Sequence, residues 1–393
     1  MENITILYII TKLELGGAQK VCLTLLQDIE NENQKTFLIT GTQGPLIDVI
    51  KNKKNVLLID DLKRELSPIM MIKEIKAFFK IIKHIYTLRK TYPNLIVHTH
   101  STKAGLVGRW AAFFAGSKHR VHTIHGYGFN DHQPKIIWTI IYLLELITSF
   151  ITTHFVCVSQ KDAETGKKLF PFFAHKYSLI HAAVDYNKFY QPARPVKKLW
   201  QAARRISEDQ ENSPEKKELI TFGTISCFKK QKNLFDLLNA FNLVHAKHTN
   251  TRLEIIGGGI QRPLIESWII QHNLINAVKL HGWQSNIVPL IQPWHALVMT
   301  SLWEGLPCTV VEARLSKLPV ISYTTGGIPE VIMHKKNGLL YEQKDWNGIA
   351  QGMITLIEHP HLYRQMAEYP DNLEMFKNRT MVHKHINLYK SLQ

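Results

Sequence analysis

Two glutamates eight residues apart, Glu304 and Glu312, are the residues of this 393-residue sequence whose spacing most directly suggests chemistry. Glu304 lies on a loop after a predicted strand over 296–301, and Glu312 lies in a predicted helix, Leu306–Ser316, that Pro307 is placed to start. The two carboxylates would reach one ligand from different sides. Because a carboxylate that accepts from two adjacent hydroxyls commonly holds a ribose or sugar diol, we expect a sugar or nucleotide ligand here.

Three lysines, Lys229, Lys230 and Lys232, lie between a predicted strand over 219–224 and a predicted helix, Asn233–His248. Ammonium groups beside a helix N-terminus suit a phosphate or diphosphate, because charge-assisted hydrogen bonds and the helix dipole act together. A solvated basic surface run is an equally weighted alternative for the triplet taken by itself.

In the first half of the chain, Gly16 and Gly17 separate a predicted strand over 4–10 from a predicted helix, Gln19–Glu30. A glycine pair at this point lets backbone approach a ligand closely, and the first amides of the helix attract anions. A plain tight turn explains the same two glycines without a ligand.

Histidines end two further predicted strands, over 95–100 and 121–124. His98 and His100 are two residues apart, but no carboxylate stands near them in sequence to complete a metal site, and we predict no metal ligands in this chain. His100 either has a structural role, capping the following helix or bonding backbone, or contacts substrate, and both interpretations stay open. His125 precedes a glycine, where a ligand can come close, and is the better candidate for contact.

Runs rich in Val, Ile and Leu alternate with longer helical patterns along the chain, as in βα units that build a parallel sheet. We therefore predict an α/β protein with two doubly wound, Rossmann-like domains facing each other across a cleft, since open α/β sheets bind ligands beyond the carboxyl ends of their strands. The predicted domains are residues 1–190 and 219–376, joined by a charged, proline-containing linker over 191–218. The remaining predicted strands cover 36–40, 56–59, 154–158, 178–181, 253–257, 277–281, 319–323 and 338–341.

Composition excludes a disordered chain and a lone small binding module, because 45% of the residues are apolar and the length suits two domains. A net charge of +16 points to an anionic partner: nucleic acid, an acidic membrane surface or a phosphorylated small molecule. Four widely spaced cysteines favour a reducing cytosol. The longest apolar stretch, residues 136–151, is shorter than the ~20 residues that span a bilayer, so no transmembrane helix is predicted.

Taken together, these segments resemble those of the retaining glycosyltransferases of family 4, which have the GT-B fold, and the likeness covers essentially the whole chain. The most specific part is the E-x7-E motif of Glu304 and Glu312 within the run SLWEGLP that begins at Ser301. The other matching segments are GGAQ at 16–19, HTHSTKAGLVGR at 98–109, HGYGF at 125–129, GGIPE at 326–330 and NGLL at 337–340.

The resemblance implies a nucleotide-diphosphate sugar, UDP- or GDP-linked, as the donor substrate, held mostly by the second domain with no further cofactor. Glu312 would hold the ribose hydroxyls, and Lys232 with Lys229 would hold the diphosphate. An arginine frequent in the family's diphosphate site is absent, and Thr224 stands in its place, so Lys229 is the expected replacement.

The same resemblance assigns the transferred sugar to Glu304 and to the backbone of Gly305, Leu306 and Cys308. His125 would reach the 6-position of that sugar from the first domain. Gly16 and Gly17 would lie against the donor phosphate or the acceptor. A C-terminal helix over 377–392 would cross back and complete the first domain.

The activity implied is glycosyl transfer with retention of anomeric configuration and without a metal ion, since no Asp-x-Asp motif is present. The acceptor would be a glycan or a polyprenyl- or other lipid-linked molecule of surface polysaccharide or lipopolysaccharide biosynthesis. The expected location is the cytoplasm, with attachment to the inner face of the membrane left open. A basic apolar helix over 69–90 either docks on an anionic membrane or packs on the sheet with its lysines solvated.

Three other functions compete with this one. A nucleotide-sugar epimerase of GT-B shape needs an acid and base constellation that matches these residues less well. A non-catalytic relative that binds nucleotide sugars would not need both glutamates. Nucleic-acid binding rests on charge alone, without a recognisable motif, and the glutamates of the densest motif would repel a phosphate backbone.

Overall fold

The computed structural model describes residues 4–62, 71–191 and 219–393, and for residues 71–73 it describes the backbone only. The predicted linker, except for Gln191, lies outside the described residues. The chain divides into two compact units, Met1–Val184 with Glu374–Gln393, and Asp185–Leu373. Each unit is an α/β layer structure built on its own parallel sheet, which confirms the prediction of two doubly wound, Rossmann-like domains.

The first unit holds a seven-stranded parallel sheet in the order β3-β2-β1-β4-β5-β6-β7. Its interior strand β1 is buried along its whole length, as expected for a strand with helices on both faces. The strands are β1 Thr5–Ile10, β2 Lys35–Thr40, β3 Val56–Leu58, β4 Ile96–His100, β5 His119–Ile124, β6 His154–Cys157 and β7 Tyr177–Leu179. The helices are α1 Gly17–Asn31, α2 Ile47–Ile50, α3 Met71–Thr91, α4 Thr102–Phe114, α5 Lys135–Ile151 and α6 Gln160–Leu169.

The second unit holds a six-stranded parallel sheet in the order β10-β9-β8-β11-β12-β13. The strands are β8 Ile220–Ile225, β9 Thr251–Ile256, β10 Val278–Gly282, β11 Ala296–Met299, β12 Val320–Tyr323 and β13 Gly338–Tyr341. The helices are α7 Tyr186–Phe189, α8 Leu234–Lys247, α9 Arg262–Gln271, α10 Val288–Ile291, α11 Cys308–Leu315, α12 Trp346–Glu358 and α13 Pro360–Glu368. Its core packs α8, α9, α12 and α13 against one face of this sheet.

The last helix, α14 Asn378–Leu392, packs on the first unit although it follows the second in sequence. The hydroxyl oxygens of Tyr389 and Tyr8 lie 3.2 Å apart, and Val184 forms a parallel bridge with Lys377. The buried residues of α14 thus complete the layer that covers β1.

The predicted and observed elements differ most where loops carry site residues. β11 ends at Met299 and not at Ser301, because Thr300 and Ser301 bond to loops that follow other strands. α11 begins at Cys308 and not at Leu306, since Pro307 is an extended N-cap with ψ 111°. None of the helices within the described ranges is long and apolar enough to span a membrane.

Candidate active site

In the second unit, loops from three neighbouring strands meet at the carboxyl edge of the sheet. β8 and β11 are neighbours in the sheet. From β8 the chain continues outward through β9 and β10, and from β11 it continues in the opposite direction through β12 and β13, so the crevice beyond β8 and β11 is the topological switch point. The backbone amide of Leu302, after β11, donates to the carbonyl of Gln231, after β8, at 2.8 Å. The Gln231 side chain donates in turn to the carbonyl of Trp303 at 2.7 Å.

Lys232 and Glu304, predicted for two different parts of a ligand, contact each other. The Nζ of Lys232 lies 2.5 Å from Oε1 of Glu304, and their side chains are 16% and 8% exposed. The Thr300 hydroxyl, whose Oγ1 lies 2.9 Å from the carbonyl oxygen of Asn233, ties the lysine turn to the end of β11. Lys232 and Glu304 therefore form a salt bridge at the switch point, and an anionic ligand that binds Lys232 must share the ammonium group with Glu304.

A glycine turn after β12 supports the backbone of Glu304. Gly326 has φ +54°, and a Cβ there would lie 2.2 Å from the carbonyl oxygen of Glu304. The amide of Gly327 donates to the carbonyl of Gly305 at 2.6 Å. Glycine is thus required at 326 both by conformation and by close approach of the Glu304 loop.

The other predicted residues of this unit lie on the same loops or just beyond them. Gly305 and Leu306 are buried, and Cys308 is the first residue of α11. Glu312 lies in the second turn of α11 and is 3% exposed. Lys229 precedes the turn of Lys230 to Lys232 with extended backbone, and it is half-buried, whereas Lys230 is exposed. The structure therefore distinguishes Lys232 and Lys229 from a solvated basic run.

A second close approach joins the loops after β8 and β9. Gly257 has φ +130°, and a Cβ there would lie 1.9 Å from the carbonyl oxygen of Ser226. The amide of Phe228 donates to the carbonyl of Gly258 at 2.9 Å. These glycines explain how the segment that leads into Lys229 is held at the edge of the sheet.

In the first unit, the predicted residues again follow strands at the switch point, here between β1 and β4. Gly16 is the N-cap of α1 and Gly17 its exposed first residue, in the segment that follows β1. The hydroxyls of Thr11, after β1, and Ser101, after β4, lie 3.3 Å apart. His125 directly follows β5, the next strand of the sheet.

His100 and His125 are paired through their rings. Nδ1 of His100 lies 3.0 Å from Nε2 of His125, so His100 orients the candidate contact residue and does not cap α4 with its side chain. Desolvation lowers the pKa of His125 to about 3 and the pKa of His100 well below the usual value. Because both rings are neutral near pH 7, one of the two facing nitrogens donates to the other, and His125 presents Nδ1 as its remaining polar atom.

His98 does not reach toward a ligand, because it belongs to a buried network that the sequence alone did not reveal. Its Nδ1 lies 2.6 Å from the hydroxyl of Tyr389, on α14, and its Nε2 lies 2.7 Å from the hydroxyl of Thr123. His385, also on α14, packs with its ring 5.7 Å from that of His98. Burial lowers the pKa of His385 to about 4, and the pKa of His98 is likewise lowered by desolvation and by the neighbouring histidines.

Within the described ranges, His, Cys, Asp and Glu side chains form no group of three or more that could hold a metal ion.

The signal that would have identified the buried network of Tyr8, His98 and Tyr389 in the sequence is weak, since these three residues are ordinary members of apolar segments there. Only the return of α14 to the first unit brings them together.

Comparisons with known proteins give matches to both units of the chain. The model of the family described as Glycosyltransferase Family 4 matches residues 15–188, and that of Glycosyl transferases group 1 matches residues 204–372. An Escherichia coli UDP-Gal:alpha-D-GlcNAc-diphosphoundecaprenol alpha-1,3-galactosyltransferase is 27% identical over 88% of this chain and 85% of its own. The Staphylococcus aureus capsular polysaccharide biosynthesis glycosyltransferase CapM is 22% identical over 80% of this chain and 76% of its own.

Solved structures show the same fold. Anabaena HepE, in complex with UDP and glucose, superposes with a TM-score of 0.77 over 99% of this chain and all of its own, at 16% identity. Sucrose-phosphate synthase from Thermosynechococcus elongatus superposes with a TM-score of 0.79 over 99% of both chains, at 15% identity. With two family models that together match most of both units, this chain belongs to the family 4 type of glycosyltransferases and has the GT-B pair of Rossmann-like domains.

Proposed function

We propose that this glycosyltransferase moves a hexosyl residue from a nucleotide-diphosphate sugar to a glycan or lipid-linked acceptor, with retention of anomeric configuration. The observation that carries this proposal is the Lys232–Glu304 pair at the switch point of the second unit, next to the start of α11. Lys232 supplies positive charge where a diphosphate leaves, and Glu304 supplies acceptor oxygens for sugar hydroxyls.

The donor is proposed to be UDP-linked in preference to GDP-linked. The E. coli relative is named for UDP-Gal, and Anabaena HepE was solved with UDP and glucose. In this assignment Glu312 accepts from the ribose hydroxyls, Lys229 joins Lys232 at the diphosphate, and the backbone of Gly305 to Cys308 faces the sugar. For the first unit we propose the roles that the resemblance implies: Gly16 and Gly17 at the donor phosphate or the acceptor, and His125 at the 6-position of the sugar.

The proposed reaction breaks the bond between the anomeric carbon and the diphosphate oxygen while the acceptor oxygen bonds to the same carbon from the same face. The acceptor hydroxyl loses its proton to the departing phosphate oxygen. Because lysine and the first amides of α11 stabilise the negative charge of that leaving group, we propose that the transfer needs no divalent cation. Activity that survives EDTA and a product of unchanged anomeric configuration by NMR would support both points.

The acceptor is proposed to be lipid-linked, in surface polysaccharide biosynthesis, and to be met by a cytoplasmic enzyme at the inner face of an anionic membrane. The E. coli relative, whose name specifies a diphosphoundecaprenol acceptor, and CapM, named for capsular polysaccharide, support this class. The net charge of +16 suits an anionic surface.

A donor screen tests the proposal. We expect one UDP-sugar to raise the melting temperature of the protein and to be hydrolysed slowly without acceptor, with release of UDP. Interconversion of the sugar without release of UDP would instead indicate an epimerase. Binding without turnover, with the acceptor class present, would indicate a non-catalytic relative. Stabilisation by oligonucleotides and by no nucleotide sugar would overturn the proposal.

Glu312→Gln is expected to raise the KM for the donor about tenfold with little change in kcat. The amide keeps the size of the buried side chain but loses the charge that strengthens hydrogen bonds from the ribose, a loss of about 1.4 kcal/mol. Steady-state kinetics with varied donor measure the change. Glu368→Gln, an exposed helical glutamate of the same unit, is the control and should leave KM unaltered. An unchanged donor KM in Glu312→Gln would show that Glu312 does not hold the ribose.

A further inference from the structure

Helix α5 of the first unit carries apolar side chains on its outward side as well as on the side that faces the core. Seven large apolar side chains on α5 are exposed, of which Ile136 is 75% exposed and Phe150 61%. The other five are Ile137, Ile140, Leu143, Leu144 and Ile147. A surface helix of a globular protein in water normally turns such residues toward the core. Since scattered exposed apolar residues are common but a contiguous set is not, this face is suited to contact with something apolar.

The inward side of α5 combines side chains that pack on the core of the first unit, Trp138, Ile141, Tyr142 and Leu146, with polar side chains held by buried hydrogen bonds. Nη2 of Arg109, on α4, lies 2.7 Å from a carboxylate oxygen of Glu145, and Nη1 of the same guanidinium donates to the hydroxyl of Thr152 at 3.0 Å. The indole Nε1 of Trp110 donates to the hydroxyl of Thr148 at 3.0 Å. Breaking a buried ion pair of this kind is strongly unfavourable. These contacts fix the orientation of the helix, so rotation about its axis cannot bury the exposed apolar side chains.

The apolar surface continues onto the two preceding helices. α4 packs between α3 and α5, and its Phe113 and Phe114 are 44% and 62% exposed. On α3, Ile75 and Phe79 are also exposed. The Phe78 and Phe114 ring centroids lie 6.2 Å apart, which connects the surfaces of the two helices. We call the exposed large apolar side chains of these three helices the apolar face: Ile75, Phe79, Phe113, Phe114, Ile136, Ile137, Ile140, Leu143, Leu144, Ile147 and Phe150.

Basic residues outnumber acidic residues around the apolar face. Residues 71–151 contain eleven Lys and Arg against three Asp and Glu. Two of the three acids are paired, Glu145 with Arg109 and Glu74 with Lys103. Exposed lysines lie along α3, in the turn before β5 and at the start of α5, namely Lys76, Lys80, Lys83, Lys118 and Lys135. The Arg120 guanidinium lies 5.6 Å over the Phe113 ring and its Nε donates to the last carbonyl of α5.

The combination of exposed apolar side chains and surrounding lysines indicates what binds to the apolar face. Two copies of the chain packed through this face would bring like charges together, whereas an anionic lipid surface offers phosphate for the lysines and hydrocarbon for the isoleucines and leucines. α5 is about 25 Å long at 1.5 Å per residue, and no helix of the described ranges qualifies as a membrane span, so the helix would lie in the plane of the interface.

We propose that the apolar face docks the first unit on an anionic membrane, with α5 inserted at the boundary of headgroups and acyl chains. α5, and not the basic helix α3 alone, is then the principal anchor. α3 packs Ala77, Ile81 and Ile85 into the core and contributes exposed lysines. The inference rests on the proposed function only in that a lipid-linked acceptor would be presented at the same surface.

Vesicle co-sedimentation of the full chain tests the docking. We expect binding to phosphatidylglycerol vesicles at low salt, weaker binding at high salt, and much less binding to phosphatidylcholine vesicles. The variant with Ile140→Gln, Leu144→Gln and Ile147→Gln should bind at least tenfold more weakly with an unchanged melting temperature, since these side chains are exposed. The matched control carries Ile260→Gln, Leu264→Gln and Ile270→Gln, apolar residues of the second unit that are at least as exposed, and should bind like the unmodified chain.

Three results would overturn the proposal: no binding of the unmodified chain to anionic vesicles, equal loss of binding in the control, or a concentration-dependent dimer that the α5 variant abolishes while vesicles bind neither protein. The assay contains no donor or acceptor, so a wrong proposed function leaves it unaffected. Conversely, turnover of a short-chain, water-soluble acceptor should be equal in the α5 variant and the unmodified chain. If the chain does not dock on membranes, turnover of the water-soluble acceptor would still be observed.

Discussion

Lys232→Ala is expected to lower kcat/KM by roughly 10²-fold, which corresponds to about 3 kcal/mol of transition-state stabilisation, the order seen when one oxyanion donor is removed. Negative charge grows on the diphosphate as it leaves, and the alanine variant would remove the ammonium that meets it. The same change leaves the carboxylate of Glu304, only 8% exposed, without its 2.5 Å partner and facing that negative charge. Initial rates at varied donor concentration, with donor and acceptor from the screen, measure the loss.

The matched control for this prediction is Lys230→Ala in the same turn. Lys230 is exposed, and its removal should change kcat/KM less than twofold. Thermal melts of both variants separate catalysis from stability, since Lys232→Ala leaves the largely buried Glu304 without its partner and is expected to lower the melting temperature as well. Full turnover by Lys232→Ala would refute its assignment at the diphosphate.

Acid is expected to destabilise the first unit steeply, by about 4 kcal/mol between pH 7 and pH 5 from His125 and His385 alone. Their folded pKa values, about 3 and about 4, lie below the unfolded value near 6.5, so the unfolded chain binds more protons in this window. The stability contributed by these neutral rings is complete above about pH 6.5 and is lost as the pH falls toward the folded values. Each ring loses at most about 1.4 kcal/mol per pH unit.

Urea unfolding at pH 7, 6 and 5 measures this dependence. His385→Asn removes one of the titrating rings and should reduce the loss between pH 7 and pH 5 by about 2 kcal/mol. His383→Asn, at an exposed position of the same helix, should leave the dependence as it was. Midpoints that do not move with pH, or equal slopes in the two variants, would contradict the origin assigned to the effect.

The βα alternation of the sequence was enough to place the strands, because a parallel strand buried on both faces is a short apolar run that stands out from amphipathic helices. β4, predicted over 95–100, is Ile96–His100, and β13 matches its predicted range of 338–341. The loops were harder to place. Thr300 and Ser301 directly follow an apolar run in the sequence, so the pattern extends the strand through them. In the structure both residues hydrogen-bond to other loops, and β11 ends before them.

The apolar run over 136–151 shows the limit of composition most clearly. Its length excluded a bilayer span, but hydrophobicity does not say which side of a helix faces the core. In α5 the core-facing side includes Glu145, which pairs with the buried Arg109 of another helix, beside the core-packed residues Trp138, Ile141, Tyr142 and Leu146. Tertiary contacts, among them this buried ion pair, therefore leave the other apolar side chains of α5 exposed.

By itself, the sequence determined which segments are strands and helices, that there are two doubly wound sheets, and which side chains follow the strands, because all of these depend on local periodicity and on residue type. Tertiary structure alone decided which of those side chains meet. Lys232 reaches Glu304 across 72 residues and His98 reaches Tyr389 across 291, since strand order and the return of α14, and no local preference, set those contacts.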